Sequence, residues 1–221
     1  MTSVWACNTI AGMDALAAKN QAATAQIVLA SASPRRHELL LVAGIPHRVL
    51  PSSIDEQPEP GETPEGYTRR AAQEKARQVT GRCPAGTWVL SADTSVVVDD
   101  QVLGKPRDLS DGRRMLELLS GRSHRVLTAV CLAQAQGRPC DDLLEQTLVT
   151  FRSLPPDWVA GYLATGEPMD KAGGYGIQGI GAMLVRSISG SYTNVVGLPL
   201  GETVDLLERA GAFRPFEGGS R

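Results

Sequence analysis

The sequence predicts an α/β protein whose sheet is mixed, with parallel and antiparallel strands together. Short apolar runs alternate with helical patterns, two turn-like segments each separate a pair of β-rich runs, and no repeat or long linker interrupts the chain. The predicted strands cover residues 27–31, 48–51, 88–92, 95–98, 102–103, 125–133, 144–151 and 182–188. The predicted helices cover residues 34–44, 64–79, 108–119, 155–164 and 193–210.

Helix and turn signals fix several of these elements. Pro34 suits the first helical position because its missing N–H would find no partner there, and Gly44 suits the residue after the last turn. The acidic, proline-rich residues 55–64 are predicted to form a loop before the second helix. The Asp-Asp pair at 99–100 predicts the turn of a hairpin, and residues 137–142 predict a turn between two longer antiparallel strands.

Composition excludes several classes of partner. The formal net charge is −2, so no overall basic field favours nucleic acid polymers or anionic membranes. The longest apolar run, residues 39–45, is far shorter than a membrane-spanning helix. The four cysteines include no CxxC pair and occur with only three histidines, which argues against zinc or a disulfide framework and fits a reducing cytoplasm.

The length of 221 residues suits one main domain, which we expect at residues 27–212. Residues 1–26 lack a basic start followed by an apolar stretch, so we expect a poorly ordered extension rather than a signal peptide. Residues 213–221 are expected to form a C-terminal tail.

The stretch LASASPRRHELL, residues 29–40, places two adjacent arginines in the first turn of the first predicted helix. Ser33 is placed to cap this helix, whose free N–H groups and positive dipole end would face outward. Arg35 and Arg36 add two cations where the helix dipole disfavours them, and a bound phosphate would relieve this conflict. Two interpretations stay open from these residues: an anion site, or an ordinary capped helix whose arginines point into water.

A second group of polar residues lies in SADTSVVVDDQVLGKPRD, residues 91–108. Asp93 is predicted where an apolar strand ends, and the hairpin that follows returns Lys105 to its neighbourhood. A three-residue turn would put Lys105 opposite Ser95 and on the same face as Asp93, whereas a two-residue turn would move it to the other face, opposite Thr94. Such a carboxylate can orient water or hold a divalent metal. The alternative is an Asx turn beside an edge-strand lysine.

A glycine-rich segment contains a literal G-x-G-x-x-G at Gly174, Gly176 and Gly179. The dinucleotide-binding motif requires a strand before it, a helix after it and an acidic residue about 20 positions later. Here EPMDKAG precedes the motif and the strand-like GAMLVRSISG follows it, so the sequence does not predict NAD binding. A glycine-dense loop still lets a ligand approach the backbone, and Gln178 within it is a candidate for reading a base.

Six blocks then occur in one order: LASASPRRHELL, EKAR, SADTSVVVDDQVLGKPRD, LSGRSHRVLTAV, DKAGGYGIQG and ISGSYTNVVGLPL. Together they resemble the Maf family of nucleoside triphosphate pyrophosphatases, first named for inhibition of septum formation, over residues 27–210. The resemblance implies hydrolysis of nucleotides to the monophosphate and pyrophosphate. It also implies an elongated fold of two lobes around a deep cleft, similar in architecture to inosine triphosphate pyrophosphatases.

The resemblance also assigns roles to residues of this chain. It puts the proton acceptor at Asp93 and a second acidic position at Glu56, on the loop after the second strand. These carboxylates are the expected ligands of a magnesium or manganese ion, and which of them takes the proton stays open. The remaining expected residues are Ser31, Arg35 and Lys75 for substrate binding and Lys105 for catalysis.

Three positions are expected to select the base: Arg36, Thr94 and Gln178. Proline followed directly by two arginines, threonine after Asp93 and glutamine in GIQG resemble the members specific for dTTP and UTP. The Gln178 amide can donate to a carbonyl of uracil or thymine while accepting from N3–H. Two alternatives stay open, a 7-methyl-GTP pyrophosphatase of the same family and a non-catalytic nucleotide-binding regulator of division. The choice between monomer and homodimer stays open as well.

Overall fold

The computed structural model describes residues 27–54, 57–138 and 140–216. Its strands are β1 (Ile27–Leu29), β2 (Arg48–Val49), β3 (Trp88–Val98), β4 (Gln101–Leu103), β5 (Ser123–Gln134), β6 (Asp141–Phe151) and β7 (Val185–Ser189). Its α-helices are α1 (Pro34–Val42), α2 (Pro64–Thr80), α3 (Leu109–Leu119), α4 (Pro156–Ala164), α5 (Tyr192–Val196) and α6 (Leu200–Arg209). Short 3₁₀ helices at Glu167–Asp170, Ala172–Gly174 and Ile180–Leu184 lie between α4 and β7.

These seven strands form one sheet in the order β2-β1-β3-β5-β6-β7, and β4 pairs with β3 outside this path. Strand β1 runs parallel to both β2 and β3. The other pairs, β3 with β4 and β5, β5 with β6, and β6 with β7, are antiparallel. The predicted α/β class with a mixed sheet is therefore confirmed.

Strands β3 and β5 contribute residues to three hydrophobic clusters. Near β1, Leu29 belongs to a cluster that packs against α1 and α6, and Val28 belongs to a second cluster that packs against α2. At the other end of β3 and β5, Val96 and Val126 pack with residues of α3 and α4. A cavity opens between these clusters, which agrees with the predicted two lobes around a cleft.

Strand β3 differs from its prediction. The sequence predicted two strands interrupted near Asp93, but the structure has one continuous strand with Asp93 in its middle, opposite Ala129 of β5. The polar residues do not end the strand because helix α2 supplies hydrogen-bond partners for them. Ser91 Oγ donates to the carbonyl oxygen of Ala72 at 2.6 Å, and Thr68 Oγ1 donates to Ser95 Oγ at 2.8 Å.

Two predictions near the C-terminus were also wrong in detail. The helix predicted at 193–210 is the pair α5 and α6, separated by Gly197 and Pro199. Gly197 has φ 122°, a conformation that favours glycine, and proline restricts the residue before it, so the chain breaks there. The strand predicted at 182–188 begins only at Val185, because the residues before it form a 3₁₀ helix.

Two cysteines lie side by side in the structure. The sulfur atoms of Cys131 and Cys140 lie within bonding distance, with their Cα atoms 5.9 Å apart, a pairing that the sequence analysis did not expect. Within residues 27–54, 57–138 and 140–216, no helix is both long and apolar enough to cross a membrane. The predicted extension at 1–26 and residues 217–221 of the predicted tail lie outside the described residues.

Candidate active site

A cavity of about 650 Å³ opens between the hydrophobic clusters. Its wall is built from the turn between β1 and α1, the middle of β3, the segment after β4, the glycine-rich loop and the end of α5. Eight of the predicted site residues line it: Ser31, Arg35, Arg36, Lys75, Asp93, Thr94, Lys105 and Gln178. The ninth, Glu56, lies outside the described residues, so its role stays a prediction.

A buried ion pair lies in the cavity wall. Lys75 Nζ of α2 donates to Asp93 Oδ1 of β3 at 2.5 Å, and each side chain is only 7% exposed. A charged pair this well buried requires close geometry, since each ion loses its hydration. The lysine fixes the carboxylate in place while both groups still border the cavity.

The alternation of side chains along β3 explains why Asp93 meets α2. Residues two apart on a strand share a face, and Ser91 and Ser95 both hydrogen bond to α2 on either side of Asp93. Three successive polar residues on one face are thus each matched by this helix. Thr94 points the opposite way, and its Oγ1 lies 3.0 Å from Thr128 Oγ1.

Arg35 is placed at the edge of the cavity. Its Nη1 lies 3.3 Å from Asp170 Oδ2, a contact between the α1 start and the 3₁₀ helix at Glu167–Asp170. The Asp170 side chain is 62% exposed, so this ion pair contributes little to the stability of the fold. Burial raises the pKa of Asp170, but the cations of Lys171 and Arg35 outweigh it and hold that pKa below its ordinary value.

Arg36 turns inward, whereas Arg35 lies at the edge of the cavity. It is 9% exposed, and its Nε donates to the Gly197 carbonyl oxygen at 2.7 Å. Its Nη1 donates to Ser31 Oγ at 3.1 Å and its Nη2 to Thr94 Oγ1 at 3.0 Å. Ser33 makes no side-chain cap, contrary to prediction; its N–H donates instead to Ser31 Oγ at 3.2 Å.

The hairpin after β3 decides between the two predicted turns. Val98 pairs with Gln101, so the turn holds two residues, Asp99 and Asp100, both with positive φ. In that register the sequence analysis expected Lys105 to leave the face of Asp93. However, β4 already ends at Leu103, so pairing no longer sets the direction of Lys105, and it lines the same cavity as Asp93.

The glycine-rich loop brings Gln178 to the cavity wall. No strand immediately precedes this loop, and a 3₁₀ helix rather than an α-helix follows it, which agrees with the rejection of a dinucleotide-binding motif. The sequence analysis did not single out Glu167, Asp170 and Tyr175, which also line the cavity. The sequence feature that could have indicated these residues is their position beside the glycine run, in the segment EPMDKAGGYGIQG.

The cavity also defines the available metal ligands. No group of three or more His, Cys, Asp or Glu side chains within the described ranges is arranged to hold a metal ion. The carboxylates lining the cavity are Asp93, Glu167 and Asp170, and their oxygens are of the hard type that magnesium prefers. A metal bound at Asp93 would therefore need further oxygen ligands, of the kind that a polyphosphate supplies.

Comparison with known proteins gives consistent matches. The family model Maf, described as Maf-like protein, matches residues 26–210. A dTTP/UTP pyrophosphatase from Myxococcus xanthus (strain DK1622) is 53% identical over 190 residues, which is 86% of this chain and 95% of the relative. A dTTP/UTP pyrophosphatase from Anaeromyxobacter sp. (strain Fw109-5) is 50% identical over 195 residues, covering 87% and 93%. A third protein of that name, from Escherichia coli O157:H7, is 48% identical over 188 residues, covering 85% and 94%.

These matches span most of each protein, and the chain belongs to the Maf family. Among solved structures, a dITP/XTP pyrophosphatase from Mycobacterium abscessus superposes with a TM-score of 0.39 at 17% identity, covering 59% of this chain and 74% of the other. A structural similarity of that strength carries no argument about this protein.

Proposed function

We propose that this protein is a nucleoside triphosphate pyrophosphatase that hydrolyses dTTP and UTP to the monophosphate and pyrophosphate. One observation carries the proposal: Arg35, Lys75 and Lys105 line the same cavity as the carboxylate of Asp93, with the Gln178 amide in its wall. Arg35 and Lys105 supply positive charge that suits a triphosphate. Lys75 holds the Asp93 carboxylate, and the amide suits a base. The names of the relatives support the same substrates.

The proposed reaction is an in-line attack of water on the α-phosphorus. A bond forms between the water oxygen and the α-phosphorus, the bond from that phosphorus to the bridging oxygen breaks, and pyrophosphate leaves. Asp93 orients the water and takes its proton, while Lys75 holds the carboxylate at 2.5 Å. Arg35 and Lys105 offset the charge that develops on the leaving pyrophosphate.

A divalent cation, magnesium or manganese, belongs to the proposal. Its proposed ligands are oxygens of Asp93, of Glu56 and of the substrate phosphates, because hard cations prefer such donors. When bound, the cation would supply charge neutralisation beside the phosphates. The residues that line the cavity would still bind and orient the nucleotide by their own charges and hydrogen bonds.

The Gln178 side chain is the proposed reader of the base. Uracil and thymine present an acceptor, a donor and an acceptor along one edge, and an amide can donate to a carbonyl while accepting from N3–H. Because an amide can also flip to suit cytosine, a fixed donor must enforce the pattern. A backbone N–H of the glycine-rich loop can serve, since Arg36 already donates to three groups of the protein.

Pyrophosphate release from a nucleotide panel tests the proposal. With magnesium or manganese present, kcat/KM for dTTP and UTP should exceed that for CTP, ATP, GTP and 7-methyl-GTP by on the order of tenfold or more. The Gln178→Glu variant should erode this preference. Preference for 7-methyl-GTP would move the enzyme to another branch of the family, and nucleotide binding without turnover would favour the non-catalytic regulator.

Location and assembly complete the proposal. A cytoplasmic location fits an enzyme whose substrates are free nucleoside triphosphates, and the net charge of −2 gives no support for binding nucleic acid polymers. A homodimer is the alternative to a monomer. Light scattering of the purified protein, with and without nucleotide, would decide between these two assemblies.

A further inference from the structure

The carboxylate of Glu167 accepts hydrogen bonds from one end of the glycine-rich loop and reaches the other end through the Tyr162 hydroxyl. Glu167 Oε2 accepts from the Ile180 N–H at 2.8 Å, and Oε1 accepts from the Gly181 N–H at 3.0 Å. The Tyr162 hydroxyl donates to Oε1 at 2.9 Å while accepting from the Gly176 N–H at 3.1 Å. Glu167 therefore binds the last two residues of the segment 176–181 directly and its first residue through Tyr162.

Two glycines of this loop pack closely against Glu167 and Tyr162. A Cβ built on Gly179 would lie 2.4 Å from Glu167 Oε2, and one on Gly181 would lie 2.4 Å from the Tyr162 hydroxyl oxygen. Such contacts are too short for any other residue unless the neighbour moves. A side chain at Gly179 would displace the Glu167 carboxylate, and one at Gly181 would also meet the Gly176 carbonyl oxygen at 2.6 Å, so both glycines suit this close packing.

The charge of Glu167 suits this role. Burial raises the pKa of Glu167, but the N–H groups of Gly181 and Ile180 and the Tyr162 hydroxyl outweigh it and lower that pKa below its ordinary value. The carboxylate therefore stays ionised at neutral pH. Hydrogen bonds to an ionised acceptor are stronger than those to a neutral one, so the loop is held firmly.

We propose that Glu167 is a positioning residue for base selection. By holding Gly176 through Tyr162, and Ile180 and Gly181 directly, it fixes the short segment that carries Gln178 in the cavity wall. The inference rests on the proposed function, because it assumes that Gln178 contacts the base. It assigns to Glu167 a role in discrimination between nucleotides.

The variant Glu167→Gln tests the inference with little change in volume. The carboxylate accepts three hydrogen bonds, whereas an amide has one oxygen and would present its NH₂ group to a donor. We expect the ratio of kcat/KM for dTTP over CTP to fall on the order of tenfold, mainly through KM for dTTP. Hydrogen exchange at the amides of Ile180 and Gly181 should become faster in the same protein.

Two further variants sharpen the test. Tyr162→Phe removes one hydroxyl and should release only Gly176, with a smaller loss of discrimination in the same direction. Glu117→Gln makes the same chemical change on α3, at a side chain paired with Arg113 outside the cavity, and should leave both readouts unchanged. If Glu167→Gln does not fold, the ratio of kcat/KM for dTTP over CTP in Tyr162→Phe tests the inference instead.

The outcomes separate the two hypotheses. Faster exchange in a folded Glu167→Gln protein with an unchanged nucleotide ratio would overturn the inference while leaving the proposed function intact. A wild-type protein that prefers another nucleotide would overturn the proposed function instead. In that case the same ratio is measured between the preferred nucleotide and its nearest competitor, and its loss in Glu167→Gln supports the positioning role.

Discussion

The Lys75–Asp93 pair leads to a prediction that separates stability from catalysis. Both side chains are 7% exposed, and removing one partner of a buried pair costs about 3–5 kcal/mol. Because this pair borders the cavity, where water can approach, we expect the lower end, about 3 kcal/mol. In a chain of 221 residues, that loss lowers Tm by roughly 6–12 °C. The variants Asp93→Asn and Lys75→Met should each show this decrease in Tm.

The double variant distinguishes this pair from two independent effects. With both charges removed, no ion is left without its counterion, so Tm should return towards the wild-type value while turnover remains lost. Thermal unfolding gives Tm, and pyrophosphate release gives turnover. Asp205→Asn, an exposed carboxylate on α6, is the matched control and should change neither. Additive Tm losses in the double variant would refute the coupling, and a fully active Asp93→Asn protein would refute the assigned proton acceptor.

Three further predictions follow from the site, the chain ends and the core. Arg35→Ala should lower kcat/KM for dTTP about tenfold or more with Tm unchanged, since one charge-assisted contact with the substrate is lost. Unchanged kinetics would favour the alternative interpretation, in which Arg35 points into water at the start of an ordinary helix. Deleting residues 1–26, all but the last of which lie outside the family match, should preserve Tm and pyrophosphate release; a large loss of either would show that they dock on the domain. Burial lowers the pKa of His124 from 6.5 to about 4, so the unfolded chain takes up the proton before the folded chain does as pH falls. The free energy of unfolding should therefore decrease by about 3 kcal/mol as pH falls between these two pKa values. Denaturation of wild type and His124→Gln between pH 7 and 4 should show that the free energy of unfolding falls more steeply with decreasing pH in the wild type. Equal slopes of the two free energies against pH would contradict this prediction.

The order of helices and strands could be predicted from the sequence because helix ends and turns are specified by neighbouring residues. Pro34 and Gly44 bracket α1 with an end at Val42, and the Asp-Asp turn at 99–100 returns the chain as a hairpin. Asp93 was misplaced at a strand end because a polar residue in an apolar run has no partner within its own segment. Its partner, Lys75, lies 18 residues earlier on α2.

The site was predicted mainly as a set of residues, and its contacts depend on residues far apart in the chain. Arg36 and Gly197 are separated by 161 positions, and their hydrogen bond fixes the arginine inward. Arg35 and Asp170 are separated by 135 positions. Neither periodicity nor a turn signal contains such distances, so the sequence could not predict which of the two arginines turns inward.

The contacts of Arg36 also change how base selection at Thr94 is understood. Thr94 Oγ1 accepts from Arg36 Nη2, and the same guanidinium binds Ser31 and the Gly197 carbonyl oxygen at the end of α5. A change at Thr94 therefore alters a contact of Arg36, and through it two other parts of the cavity wall. The base selection predicted at Thr94 would then depend on the shape of that wall as well as on direct contact with the base.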